Sequence, residues 1–199
     1  MENIAFLIGN GESRSLFDLG MLRGKGIIVG CNALYRNFTP DILVAVDRLM
    51  VQEIEKHEDR LIKEGCTIWL NRNKVIENNL EGTIKNDGWT TGPTAMKIAC
   101  LSFNLKEMYL IGFDLYPTMK GKVNNIYKNT QNYRQQDAKQ PGTGRFIKQM
   151  HKVFITNENT KFYWYVSSNH EIPDLWKNDK NLIKRDFLHL NDDIKKIGV

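Results

Sequence analysis

No stretch of about 18 apolar residues occurs in the 199-residue chain, so no segment reads as a membrane-spanning helix. The opening Met1-Glu2-Asn3 lacks the basic-then-apolar layout of a secretory signal, and the expected location is the cytoplasm. Cysteine is scarce and odd in number: Cys31, Cys66 and Cys100 stand far apart, each in an apolar stretch. That argues against a disulfide framework and for buried free thiols in a reducing compartment. Internal repeats and low-complexity tracts are missing. No Asp-x-Asp follows a strand pattern, and the histidines show no metal-ligand spacing.

What is present suits one globular domain, with 41% hydrophobic and 26% charged residues. The net charge is +5, from 28 Lys and Arg against 23 Asp and Glu, and much of the excess falls between Lys120 and Lys152. Such a region favours an anionic partner, nucleic acid or a phosphorylated substrate, unless it is simply a solvated lysine-rich surface. No basic patch interleaved with aromatics appears, so nucleic acid has no specific support.

Six short apolar runs predict strands: Ile4–Ile8, 26–31, 42–46, 66–70, Glu107–Ile111 and Lys161–Val166. Helical stretches are expected at 15–22, 49–64, 93–104 and 143–156, the third opened by a capping hydroxyl at Thr90 or Thr91 and by Pro93 in its first turn. Continuous apolar strands alternating with helices predict an α/β fold with a mostly parallel sheet wrapped on both faces. Residues 117–144 break the rhythm. They are polar, contain Tyr127 and Tyr133, and exceed an ordinary connection, which reads as a lid or acceptor-binding insertion or as a disordered surface excursion. The charged tail from Leu175 is expected to form a surface helix.

Four polar clusters follow strand ends or open helices. Gly9-Asn10-Gly11-Glu12-Ser13 lets backbone approach a phosphate or ribose. A dinucleotide fingerprint would need glycine where Arg14 stands and an acid where Asn32 stands, so an NAD site is disfavoured. Cys31-Asn32 and Asp47 end the second and third strands; Asn32 suits a base or ribose, and Asp47 either binds hydroxyls or caps the next helix. Thr90-Thr91-Gly92 opens a helix, and Asp114 and Tyr116 end the following strand. Side chains at such ends converge on one edge of a parallel sheet.

In this order the clusters resemble the bacterial sialyltransferases of glycosyltransferase family 42. Gly9 to Ser13 is similar to that family's Gly-Asn-Gly-Pro-Ser, Cys31-Asn32 to its Arg-Cys-Asn, and Lys106 to Tyr116 to its Lys-Glu-Ile-Tyr-Leu-Ser-Gly-Ile-Asp-Phe-Tyr. The resemblance covers residues 4–116 and implies a Rossmann-like fold with a lid. It implies a CMP-activated donor bound without metal or other cofactor, with Asn10 and Asn32 on the nucleotide and Thr91 and Gly92 on the phosphate or carboxylate region. Tyr116 would face the leaving phosphate, assisted by Tyr127 and Tyr133. The family's base is a histidine in or after the lid, yet none occurs from Gly112 to Met150. His151 is then a candidate base, or else a surface or core histidine, with Asp137 and Tyr127 as other candidates.

The same clusters resemble the related domain of motility accessory factors and archaeal hydroxymethylpterin diphosphokinases, and uncharacterised proteins of tailed bacteriophages. The leading expectation is inverting sugar transfer from a nucleotide donor to a glycan or other hydroxyl compound. A rival is ATP-dependent pyrophosphate transfer to a small alcohol, with Mg²⁺ held by Asp47 and Asp114. A third reading is a non-catalytic nucleotide-binding module. A homo-oligomer is left open.

Overall fold

A computed structural model describes residues 3–72, 75–80, 82–85 and 88–197. Its elements are β1 (Ile4–Ile8), β2 (Ile27–Cys31), β3 (Ile42–Ala45), α1 (Arg48–Glu55), α2 (Glu58–Lys63), β4 (Thr67–Arg72), β5 (Val75–Asn78) and β6 (Thr83–Lys85). Then follow α3 (Thr91–Ser102), β7 (Glu107–Ile111), α4 (Gly144–Thr156), β8 (Lys161–Val166), β9 (Leu182–Asp186) and α5 (Leu190–Lys196). One nine-stranded sheet has the order β6-β5-β4-β3-β2-β1-β7-β8-β9. All pairings from β4 through to β9 are parallel, and only the β4-β5-β6 hairpins are antiparallel.

Alternation along the strands divides the core. Leu7, Val29, Val44, Leu110 and Trp164 point to the face covered by α3 and α4. Phe6, Ile8, Ile28, Ile111 and Tyr165 point to the other face, where Leu190 and Ile194 of α5 cover them. Beside them Leu43, Ala45 and Ile68 pack on Met50, Val51, Ile54 and Leu61 of α1 and α2. Both faces are apolar because both are covered, as an α/β sheet requires.

Several sequence expectations are revised. The 49–64 helix is two helices broken at Lys56 and His57, each burying its apolar side on the same sheet face. The 15–22 stretch holds only a 3₁₀ turn at Leu19–Leu22, preceded by another at Glu12–Arg14. There the Asp18 side chain accepts from Gly20 N at 2.8 Å, a local bond that competes with helix propagation. β5 and β6 went unforeseen because they are short and polar. The tail supplies β9 before its helix, and Arg185 of β9 grips Asp193 of α5 at 2.8 Å while Tyr165 donates to the same carboxylate at 2.8 Å.

Residues 117–144 contain no helix or strand up to Thr143, only turns and one isolated bridge between Lys122 and Lys139. They are nevertheless fastened to the sheet edge. Ile126 N donates to Asn10 O at 2.8 Å, and Glu12 N donates to Asn124 Oδ1 at 2.8 Å. Arg36 donates to Thr130 Oγ1 at 2.8 Å and to Gln131 O at 2.9 Å.

All three cysteines are free thiols, and burial pushes each up to about 12. A thiol held protonated is a poor nucleophile. The native protein at pH 8 is therefore expected to resist a thiol-labelling reagent for hours and to take up three equivalents only after denaturation, as mass spectrometry would read. Prompt labelling of the folded chain would contradict the burial.

Candidate functional site

The chain runs outward from β1 through β2 and β3 to β4, then returns to add β7, β8 and β9 on the other side of β1. The switch point lies between β1 and β7, and open parallel sheets bind ligands outside their carboxyl ends at such a point. A crevice of about 460 Å³ opens there, within the range of small-molecule sites.

The turns after β1 and β7 meet backbone to backbone. Gly9 N donates to Ile111 O and Gly11 N to Gly112 O, both at 2.8 Å. A side chain at Gly9 would place its Cβ 2.4 Å from Gly112 O, and one at Gly11 would meet the Asp114 carboxylate at 2.4 to 2.7 Å. Glycine at both places is a steric requirement of the crevice floor. Arg14, buried beneath, donates Nε to Gly9 O at 2.5 Å and braces the turn.

Asn32, Asp47 and Thr91 form one linked set along the wall. Thr91 Oγ1 lies 3.1 Å from Asn32 Oδ1 and 3.5 Å from Asp47 Oδ2. Asp47 occupies the cap position of α1 but makes no side-chain cap bond, so its carboxylate faces the crevice. Asn32 holds φ 53°, a left-handed conformation that asparagine tolerates better than most residues. Thr90 does not cap α3 with its hydroxyl; its N and Oγ1 both donate to Gln149 Oε1, at 3.0 and 2.8 Å.

Of the expected site residues, Gly9, Asn10, Gly11, Asn32, Asp47, Thr90, Thr91, Gly92, Asp114 and Tyr116 all line the crevice. The other five candidates lie elsewhere. Ser13 sits behind the wall, giving its backbone N to Asp114 Oδ2 at 2.9 Å and its hydroxyl to the other carboxylate oxygen. Tyr127 is buried, its hydroxyl accepting from Arg14 Nη2 at 3.5 Å and its ring 5.6 Å from that of Tyr133, and the Tyr133 hydroxyl accepts from Asn10 Nδ2 at 3.0 Å, so it holds Asn10 rather than reaching a phosphate. His151 pairs with Asp179 at 2.8 Å on the outer side of α4 and joins that helix to the tail. Asp137 is exposed on the insertion. Tyr116 also departs from expectation, because its hydroxyl donates to Glu171 O.

Sequence reading missed several lining groups. Phe113 and Phe146 form an apolar wall, with ring centroids 6.0 Å apart, and Asn124, Asn125 and 140–143 close the mouth from the insertion. Phe113 after β7 and Phe146 in α4, both apolar, carried no polar signature. His170 lines not this crevice but a neighbouring cavity that shares Tyr116 with it; the strand-end rule, applied to β8 as to the others, would have found Ser167-Ser168-Asn169-His170.

The fold and crevice together define a Rossmann-like α/β protein with its cleft at the switch point. Comparison with known family models, with curated proteins and with solved structures finds no match.

Proposed function

We propose that the crevice binds a nucleotide-activated sugar, CMP-linked by resemblance to the bacterial sialyltransferases, and that the chain transfers that sugar to a hydroxyl without a metal. The observation that carries this reading is the convergence of Asn10, Asn32, Asp47, Thr91 and Tyr116 from five separate segments on one cleft of nucleotide size. Asn10 Oδ1 is enclosed yet has no donor among the described residues, which suits a ligand amine or hydroxyl. The N–H groups opening α3 at Thr91 and Gly92 offer positive dipole ends to a departing phosphate. Both oxygens of Asp114 already accept from Ser13, which favours sugar transfer over the rival use of that carboxylate as a Mg²⁺ ligand.

The test is a thermal-shift screen with CMP, UDP, GDP and ADP, each with and without Mg²⁺. CMP at a hundred times its Kd is expected to add about 2.7 kcal/mol, or about 5–10 °C for a chain of this size, with no dependence on Mg²⁺. Asn32→Gly is expected to erase the shift while leaving the unliganded melting point near wild type, since glycine accepts the φ of 53°. A shift by ADP that needs Mg²⁺ would point instead to the diphosphokinase reading.

A further inference from the structure

Among the described residues the crevice has one cationic side chain on its walls, Arg145, the second residue of α4. Its position is fixed from one corner. Gly88, in the left-handed region at φ 71°, turns its carbonyl to accept from Arg145 Nη2. Nε and Nη1 make no hydrogen bond, and no carboxylate pairs with the guanidinium, among the described residues. An arginine held at one nitrogen and open at the others offers a planar fork that matches a phosphate.

The opening of α4 is seated on the opening of α3. A Cβ at Gly92 would lie 2.6 Å from Phe146 Cζ, so glycine there lets the two first turns meet. Gln149, one turn beyond Arg145, accepts from Thr90 N at 3.0 Å and from Thr90 Oγ1 at 2.8 Å. Neither helix has a side-chain cap or an acid in its first turn, so the N–H groups of both starts add potential of the same sign as Arg145. The crevice carboxylates stand apart from that cation. Asp114 accepts from Ser13 through both oxygens, and Asp47 lies on the β3 side, 3.5 Å from Thr91 Oγ1.

The phenols that the family resemblance offers to a phosphate are all engaged elsewhere. Tyr116 donates to Glu171 O, the Tyr127 hydroxyl accepts from Arg14 Nη2 at 3.5 Å, and the Tyr133 hydroxyl accepts from Asn10 Nδ2 at 3.0 Å. We propose that Arg145 receives the phosphate of the nucleotide in place of those phenols, and that it makes the crevice select a nucleotide over its nucleoside. The assignment rests on the nucleotide reading of the crevice.

The direction in which the nucleotide lies follows from the same charges. A phosphate is drawn to the guanidinium and repelled by the Asp47 carboxylate, which opposes the reversed pose. With the phosphate at Arg145, Asn32 and Asp47 on the β3 side are left for the ribose hydroxyls and the base.

Calorimetric titration of the full chain with CMP and with cytidine, at low salt in the presence of a chelator, tests the assignment. The wild type is expected to bind CMP about ten- to hundredfold more tightly than cytidine. Added NaCl should shrink that margin, because the Arg145 side chain is exposed at the mouth. Arg145→Gln is expected to bind CMP and cytidine alike, at the wild-type affinity for cytidine, and Arg145→Lys to regain part of the margin. The same exposure should leave the unliganded melting point of both variants near wild type. Wild-type CMP affinity in Arg145→Gln would overturn the assignment while leaving the nucleotide reading intact. Loss of cytidine along with CMP would also overturn it, by making Arg145 a support of the crevice and not its phosphate ligand. Equal affinity of the wild type for the two ligands would do so with no variant at all. A wild type that binds neither would mark failure of the nucleotide reading itself, and this proposal would fall with it.

Discussion

Gly9→Ala is expected to cost about 3 kcal/mol of folding stability and to remove nucleotide binding at the same time. A Cβ there would stand 2.4 Å from Gly112 O and 3.0 Å from both Gly112 C and Phe113 Cδ2. The nearest obstacle is backbone, which no rotamer change can relieve. Backbone there can yield only by separating the turns after β1 and β7, at the expense of the Gly9 N to Ile111 O and Gly11 N to Gly112 O bonds. For a chain of this size the melting point should drop by about 6–12 °C, measurable by calorimetry. Gly144→Ala is the control. Nothing lies within 4 Å of its added Cβ, and it opens α4, so alanine should be neutral or slightly stabilising. A Gly9→Ala protein as stable as that control would disprove the close crossing.

The second large effect concerns Glu53 of α1. Its carboxylate accepts from Tyr35 Oη at 2.5 Å, from Arg36 Nε and Nη2 at 2.7 and 2.6 Å, and from Asn132 Nδ2 of the insertion at 2.7 Å. Glu53→Gln retains the shape and removes the charge, leaving the partly buried Arg36 guanidinium without its anion. Removing one partner of such a pair costs about 3 kcal/mol. Limited proteolysis of the variant should cut first within 126–134, because Asn132 and the Arg36 contacts to Thr130 and Gln131 loosen together.

The pH dependence has a definite sign. The hydrogen bonds from Tyr35, Arg36 and Asn132 and the Arg36 charge hold the Glu53 pKa below the ordinary glutamate value, although burial opposes them. Stability from this group is therefore complete above the ordinary value of about 4.3 and is lost as pH falls through the depressed one. The gap between wild type and Glu53→Gln in urea denaturation should be widest near pH 7 and shrink in acid. A gap independent of pH would mean that Glu53 contributes no charge-dependent stability.

Much of this architecture was legible in the residues. Six apolar runs became strands of the one sheet, because a strand covered on both faces must be apolar throughout and so leaves a signature that needs no context. The strand-end polar clusters converge because parallel strands all end on the same edge, so their order in the chain was enough to bring Asn10, Asn32, Asp47, Thr91 and Asp114 together. What escaped detection depended on distant partners. β5, β6 and β9 are half-exposed and charged, and their pairing is decided by neighbours far along the chain. Tyr127 and Tyr133 were plausible phosphate ligands as isolated phenols. Only the fold shows that Tyr127 is buried, with its hydroxyl against Arg14 and its ring beside Tyr133, and that the Tyr133 hydroxyl is taken by Asn10. His151 lost its place as a candidate base for the same reason, since its ion pair with Asp179 is a property of packing.

The outermost strands have a bearing on solubility. An unpaired strand margin is a template on which another chain can polymerise, and proteins protect it with brevity and charge. β6 offers only three residues and finishes in Lys85, while β9 carries Lys184, Arg185 and Asp186 in succession. Inside β9 lies β8, whose Phe162-Tyr163-Trp164-Tyr165-Val166 run has the aromatic, uncharged character of aggregation-prone segments. The final strand thus acts as a gatekeeper, shielding the stickiest ribbon of the sheet from other copies of the chain.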